Sequence, residues 1–154
     1  MRRERRPRLL LRSSEFSTVV NVLNRLADPV YCAMRLLVGL MFACWGAKLV
    51  LGMFAGNPAQ LTLILRVAGW IELIGGILVA FGFLTRAAAF LASGTMAVAY
   101  FMVHAPNGFF PIVNQGEKAV FYCWIFLFMF FYGPGRWSVD AVLKSRSSGN
   151  SSSP

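Results

Sequence analysis

The sequence predicts an all-α integral membrane protein, a four-helix bundle whose N- and C-termini both lie in the cytoplasm. Hydrophobic residues make up 57% of the 154 residues and charged residues only 14%, against roughly 25% charged in an ordinary soluble domain. Four apolar segments are candidates to cross a bilayer, and the basic residues are distributed very unevenly between the connections. We therefore expect a single membrane-embedded domain with charged tails.

The four predicted spans cover residues 30–52, 61–83, 87–103 and 115–132. The first two measure about 34 Å as helices, enough for a hydrocarbon core of about 30 Å, and the third is near the lower limit. The apolar core of the fourth segment is shorter, at residues 119–132. Asn114 followed by Glu117 matches the N-cap and N3 positions of a capping box, however. This pattern predicts a helix that begins at Gln115 and runs for about 27 Å.

The predicted domain covers residues 30–143, and the two segments on either side of it differ from each other. Residues 1–29 form a basic cytoplasmic tail that ends in Asp28–Pro29, a favourable N-cap and N1 pair for the first span. Within this tail, apolar residues at helical spacing predict a short amphipathic helix on the cytoplasmic leaflet: Phe16, Val19, Val20, Leu23 and Leu26. Residues 144–154 are rich in serine and are expected to be disordered.

The distribution of lysine and arginine predicts how the protein is oriented in the membrane. Eleven of these residues lie in the two tails and the second connection, and none lies in the first and third connections, residues 53–60 and 104–116. Cytoplasmic loops of membrane proteins carry such an excess, so the first and third connections should face outwards. Contact with anionic lipid then accounts for most of the net charge of +9. We expect the lipid bilayer and not a nucleic acid as the partner of these charges.

Cysteine and histidine offer little for metal or redox chemistry. Cys32, Cys44 and Cys123 are isolated within apolar segments, no C-x-x-C motif occurs, and the chain has a single histidine. Bis-histidine haem ligation would need a second subunit. We therefore predict buried apolar thiols and no metal site.

Glu72 is the residue that most needs an explanation. It lies near the centre of the second predicted span, between Trp70, Ile71, Leu73 and Ile74. An ionisable group at that depth costs several kcal/mol unless it faces a partner, a cavity or the bundle interior. Small residues at helical spacing around Glu72 predict that it faces a closely packed neighbouring helix.

The direction in which each predicted helix crosses the membrane places other polar residues with Glu72 in the outer half of the bundle. Arg35 lies near the cytoplasmic end, where its long side chain can extend towards the cytoplasm. The candidate site consists of Glu72, Lys48, Arg66, His104, Glu117, Tyr100 and Asn114. Two interpretations are open. The cluster is either an ion-pair network in which Lys48 and Arg66 match the carboxylates, or a polar pocket. Such a pocket would bind a small molecule or a quinone head group, or relay protons. No catalytic residue can be named.

The run from Gly69 to Arg86 resembles the signature of the DoxX family of small bacterial membrane proteins, with an acidic residue, Gly–Gly, a helix, and then Gly before Thr–Arg. The similarity extends over about residues 30–143. Further motif positions are Arg35, Gly46, Lys48, His104, Gly108, Asn114, Glu117, Gly133, Gly135 and Asp140. The resemblance implies four helices in the bacterial inner (plasma) membrane. It implies no catalytic residues, only a polar site.

The resemblance also implies a function. Relatives are associated with quinone-linked oxidoreductases and with membrane-associated oxidative-stress complexes, so a quinone is the candidate cofactor and other oxidoreductase subunits are candidate partners. Some relatives have paired cysteines and this chain does not, which argues against direct thiol chemistry. A small proton-coupled transporter and a non-enzymatic scaffold or assembly factor are the alternatives, and a homo-oligomer is a further partnership that the sequence leaves open.

Overall fold

Helices account for nearly all of the structure, a computed structural model that describes residues 6–150, with side-chain burial for residues 16, 19–54, 56–59 and 61–147. Over the described range there is no β-strand, which confirms the all-α prediction. The α-helices are α1 (Arg6–Leu51), α2 (Leu63–Phe81), α3 (Thr85–Ala99), α4 (Pro111–Asn114), α5 (Glu117–Tyr132) and α6 (Val139–Asn150).

Three helical segments are long and apolar enough to cross a membrane: Val19–Leu51, Leu63–Phe81 and Thr85–Asn107. The third continues from α3 through a π-helical turn (Tyr100–His104) and a 3₁₀ turn (Ala105–Asn107). The helix α5 has 16 residues, about 24 Å, and does not reach the length of the other three. The described residues therefore support a membrane protein with three clear candidate spans.

The sequence predicted that the first span begins at Asp28–Pro29, but the structure has no helix start there. Instead α1 runs without interruption for 46 residues and contains Pro29. An internal proline removes one backbone hydrogen bond, here to the carbonyl of Arg25, and the bonded turns on either side keep the helix continuous. Phe16, Val19, Leu23 and Leu26 are all exposed along this extension. Their position on the cytoplasmic leaflet stays a prediction.

The C-terminal segment is also more ordered than predicted. Residues 144–150, which we expected to be disordered, belong to α6. The Ser138 hydroxyl accepts a hydrogen bond from the Ala141 N–H at 3.1 Å, which caps the start of this helix. Residues 1–5 of the basic tail and 151–154 of the Ser-rich tail lie outside the described residues.

Helices α1 and α2 pack through glycine. A Cβ atom added at Gly39 would lie 2.6 Å from the Gly76 carbonyl oxygen, and one added at Gly76 would lie 2.5 Å from the Ala43 nitrogen. Gly46 and Gly69 form a second close approach one to two turns further along. The predicted small-residue face of α2 is confirmed, since Gly69, Glu72, Gly76 and Val79 are all buried. The helix that approaches it is α1.

Helix α5 packs between α3 and α1. On one side the Ser93 hydroxyl of α3 donates to the Cys123 carbonyl at 2.9 Å. On the other side Phe42 of α1 lies against Phe126 and Tyr122, with ring centroids 4.6 Å and 5.3 Å apart. Phe42 and Phe126 are almost fully buried. These aromatic contacts close the core formed by α1, α2, α3 and α5.

The close packing of α1 on α2 gives a direct test. Gly76→Ala should lower the free energy of unfolding by about 1–3 kcal/mol, because the added methyl group meets backbone atoms that cannot move aside. Gly94→Ala is the matched control, since nothing lies within 4 Å of a Cβ at Gly94, and alanine there should be neutral or stabilising by up to about 1 kcal/mol. Thermal unfolding in mild detergent measures both. Equal stability of the two variants would contradict the packing described.

Candidate functional site

Glu72 is buried at the midpoint of α2, nine residues from either end of the helix. Its side chain is 7% exposed, and its Oε2 atom has no hydrogen-bond partner in the described structure. The glycines on the same face bring the α1 backbone close, so the carboxylate is enclosed by helix packing and not by polar groups. This combination is costly for a charged group.

The neighbours of Glu72 come from α1 and α5. Tyr122 of α5 lies near Glu72 of α2 and Cys44 of α1. Tyr122 is half-buried, while Cys44 is exposed. Tyr122 is therefore a partly accessible neighbour of the buried carboxylate. The sequence carries no signal that singles out Tyr122, one of eight aromatic residues in residues 121–132. The prediction that the Cys44 thiol is buried is wrong, because Cys44 is exposed.

The predicted basic partners of Glu72 are elsewhere. Arg66 is exposed because, six residues before Glu72, it points about 120° away around the helix. Lys48 lies over the Trp45 ring with its Nζ atom 5.0 Å from the centroid, and Lys118 approaches the same ring at 5.0 Å. Within the described residues neither Arg66 nor Lys48 forms an ion pair with Glu72. The ion-pair network expected from the sequence is absent there.

A separate polar network forms where α3 gives way to the connection before α5. The Tyr100 hydroxyl donates to the Phe109 carbonyl, and the Asn114 amide donates to the Gly108 carbonyl at 2.5 Å. His104 Nδ1 lies 3.1 Å from the Asn114 carbonyl oxygen. Three predicted site residues, Tyr100, His104 and Asn114, are therefore brought together, and they hold this connection against the helix ends.

The predicted capping box is not formed. Gln115 has a left-handed backbone (φ 58°), so the chain turns sharply and α5 begins at Glu117 with Gly116 as its N-cap. The Asn114 side chain accepts a hydrogen bond from the Gly116 N–H at 2.8 Å. Glu117 is exposed in the first turn of α5, where a carboxylate favours the positive end of the helix dipole.

At the opposite end of the bundle Arg35 is buried, although the sequence predicted that it would extend towards the cytoplasm. It is 3% exposed, and its guanidinium donates to the carbonyls of Pro134 and Trp137, the latter at 2.9 Å. The Tyr31 hydroxyl donates to the Gly133 carbonyl at 2.5 Å. Arg35 stays inside because the Gly–Pro–Gly turn after α5 brings backbone acceptors to it.

Asp140 completes this end of the structure. Its carboxylate accepts from the Leu84 N–H at 2.9 Å and from the Thr85 N–H and hydroxyl, each at 3.1 Å. The N–H of Asp140 donates in turn to the Gly82 carbonyl at 3.0 Å. A residue at the start of α6 thus caps the N-terminus of α3. Both Arg35 and Asp140 have structural roles that explain their positions.

Among the seven predicted site residues, Glu72 is the one whose burial is not explained by hydrogen bonds or ion pairs within the described structure. Tyr100, His104 and Asn114 are satisfied by one another and by backbone groups, and Lys48, Arg66 and Glu117 do not reach Glu72. The described residues contain no group of three or more His, Cys, Asp or Glu side chains that could hold a metal ion. The candidate site is therefore Glu72 with Tyr122 and the thiol of Cys44.

Comparison with known proteins agrees with the resemblance seen in the sequence. The sequence model of the DoxX family matches residues 30–105. A protein of Haemophilus influenzae, described as uncharacterized, is 43% identical over 120 residues, which cover 73% of this chain and 90% of the relative. The chain belongs to the DoxX family. No solved structure gives a significant match.

The DoxX match contains Glu72 and Cys44 but ends before α5. Tyr122, which lies near Glu72, and Asp140, which caps α3, therefore lie outside the part that the family model matches. In this DoxX protein the candidate site is built jointly by the matched helices α1 and α2 and by the aromatic helix that follows them.

The Asp140 cap makes a prediction about stability. Asp140→Ala should lower the free energy of unfolding by about 0.5–2 kcal/mol, since it leaves two N–H groups of α3 without an acceptor. Asp28→Ala is the control, because Asp28 makes one ion pair at 3.4 Å with a largely exposed Arg136, and exposed pairs contribute about 0–1 kcal/mol. Thermal unfolding in detergent compares the two. A larger loss from Asp28→Ala would show that the cap is not significant.

Proposed function

We propose that Glu72 and Tyr122 bind the head group of a quinone, and that the protein is a membrane component of a quinone-linked oxidoreductase or redox-stress complex. The observation that carries this proposal is the buried Oε2 atom of Glu72, which has no hydrogen-bond partner. Buried polar atoms in folded proteins are almost always satisfied. A buried carboxylate oxygen that no group of the chain satisfies suggests that a ligand completes it.

The chemistry of the two side chains suits a quinone. A carboxyl group accepts a hydrogen bond from a quinol hydroxyl when ionised, and donates one to a quinone carbonyl when protonated. The Tyr122 hydroxyl can also donate a hydrogen bond to the quinone or accept one from the quinol. A bound quinone would supply a redox couple that exchanges protons as well as electrons, and Glu72 is the group in this site that can hold or release a proton.

The surroundings fit a flat, lipid-soluble ring. Phe42 and Phe126 form a buried aromatic wall behind Tyr122, and aromatic rings pack favourably against one another. Tyr122 is only half-buried and Cys44 is exposed, so the site is approached from the hydrocarbon side between α1 and α5. Electrons would be exchanged with a partner oxidoreductase subunit, since the described residues offer no group of three or more His, Cys, Asp or Glu side chains to hold a metal and no paired thiols.

The membrane topology is part of the proposal. We infer four transmembrane helices in the bacterial inner membrane, with α5 as the fourth, and both termini in the cytoplasm. The support is twofold. The end of α5 is joined to α1 by hydrogen bonds from Tyr31 and Arg35, so α5 returns to the side where the N-terminal part of α1 lies. The basic residues of both tails are on that side.

A proton-coupled transporter is the second candidate. It is favoured by the same lack of a basic partner for Glu72, because an unpaired carboxylate in a membrane can gain and lose a proton during a transport cycle. In that case Glu72 would bind a proton and a transported solute during the transport cycle, and Tyr122 would have no separate role. A scaffold that binds other proteins would need neither residue.

The ligand test uses the purified protein in lipid nanodiscs and a short-chain quinone, with binding followed by quenching of tryptophan fluorescence. When the ligand is reduced to the quinol, Glu72→Gln should weaken its binding about 10–100-fold, because the quinol hydroxyl loses a hydrogen bond to a charged group. Tyr122→Phe should weaken it less, because a neutral hydrogen bond is worth about 1 kcal/mol. Neither variant should be less stable than the wild type, since neither substitution removes an internal contact of Glu72.

Glu117→Gln is the matched control, because it removes the same charge from an exposed position, and its quinone affinity should equal that of the wild type. If the wild type does not bind quinone, or if all three variants bind equally, the proposed site is wrong. Proton-coupled solute efflux from vesicles that is lost in Glu72→Gln but retained in Tyr122→Phe would support the transporter instead.

The topology is tested with reporter fusions in bacteria. A phosphatase domain, which is active only outside the cytoplasm, should be inactive when it follows residue 147 and active when it is inserted after Asn107. A cytoplasmic reporter should give the opposite pattern, because the positive tails hold both termini inside. A phosphatase that is active at both positions would mean that α5 does not cross the membrane.

A further inference from the structure

A cavity of about 440 Å³ opens beside α1, at the end of the bundle that holds the turn after α5. Five residues line it: Arg25, Asp28, Pro29, Arg136 and Trp137. Two guanidinium groups and one carboxylate leave the cavity with a net positive charge. It is distinct from the Glu72 site, which lies at the middle of α2.

The positive groups in this cavity are available to bind an anion. Arg136 Nη1 is 3.4 Å from Asp28 Oδ2, and the Arg136 side chain is 81% exposed. An exposed pair of this kind is weak, so a better anionic partner could displace it. Within the described part of the chain, no carboxylate forms an ion pair with Arg25. Arginine presents several N–H donors in a planar fork that matches the oxygens of a phosphate group.

The cavity also contains acceptors. Pro29 has no N–H, so it cannot donate to the carbonyl of Arg25, which lies four residues earlier in the same helix. The Asp28 carboxylate is half-buried beside it. A ligand that carries hydroxyl groups next to its phosphate would therefore find both donors and acceptors, whereas a choline group offers no donor to these oxygens.

The position of the cavity corresponds to the membrane surface. Pro29 lies 22 residues before Leu51, the last residue of α1, a rise of about 33 Å, close to the thickness of a hydrocarbon core. Trp137 is 69% exposed at this level, and tryptophan is enriched where acyl chains meet head groups. The hydrogen bond from Arg35 to the Trp137 carbonyl, at 2.9 Å, fixes the segment that carries Arg136 and Trp137.

We propose that this cavity binds the head group of an anionic phospholipid with free hydroxyls, of the phosphatidylglycerol class. Arg25 and Arg136 hold the phosphate, Asp28 and the Arg25 carbonyl accept from the hydroxyls, and Trp137 packs at the glycerol level. When lipid is absent, Asp28 is paired with Arg136. When lipid is bound, the negative charge of Asp28 repels the phosphate and weakens its binding. The site does not depend on the Glu72 proposal.

The test is native mass spectrometry of the full chain in mild detergent, with phosphatidylglycerol or phosphatidylcholine added. The wild type should retain phosphatidylglycerol in preference to phosphatidylcholine. Arg25→Gln and Arg136→Gln should each reduce this retention about tenfold, the fold-change expected for one charge-assisted hydrogen bond. Asp28→Asn should raise it, because the competing charge is removed while an acceptor oxygen is kept.

Arg146→Gln is the control, since it removes an exposed positive charge from α6, outside the cavity, and it should leave retention unchanged. An equal loss in Arg146→Gln would mean that general charge and not the cavity binds the lipid, and would overturn the proposal. So would a loss in Asp28→Asn. Displacement of the lipid by millimolar inorganic phosphate would identify a site for free phosphate instead.

Discussion

The close approach of α1 and α2 is the constraint on which the rest of the structure depends. Gly39, Gly46, Gly69 and Gly76 allow the two backbones to approach to a distance that a single added Cβ atom would prevent. Between apolar helices in a bilayer there is little hydrophobic drive for association, so such packing supplies much of the attraction. Glu72 lies on the same face of α2 as Gly69 and Gly76 and is buried with them.

Glu72 and Arg35 show how differently a buried charge can be treated. Both are at least nine-tenths buried. Arg35 is given backbone carbonyls by the turn after α5, so its charge contributes to the fold by joining the first helix to the last part of the chain. The Nε atom of Arg35 has no partner, but both of its terminal nitrogens are bonded, whereas Glu72 receives no partner for its Oε2 atom. A group that costs stability and joins nothing is better explained by an interaction with something outside the chain.

The sequence predicted the helical class, the presence of apolar helices long enough to cross a membrane, the buried face of α2 and the family, because these depend on composition, periodicity and ordered motifs. It predicted the partners of Glu72 incorrectly, since it placed them by their depth along the helices and not by their direction around them. Arg66, six residues before Glu72 on the same helix, points about 120° away from it. It could not find Tyr122, because one aromatic residue among many carries no signal until α5 is packed against α1. The continuity of α1 through Pro29 and the sharp turn at Gln115 depend on local backbone geometry that residue type alone does not determine.

The capping of α3 by Asp140 bears on how the protein is made. Chains are synthesised and inserted from the N-terminus, so α3 enters the membrane before the residue that caps it has left the ribosome. Until then the first N–H groups of α3 and the guanidinium of Arg35 have no protein acceptors at that end. A segment that emerges later is thus the one that joins the earlier helices together. A chain interrupted before the turn at Gly133 would leave these groups without their partners.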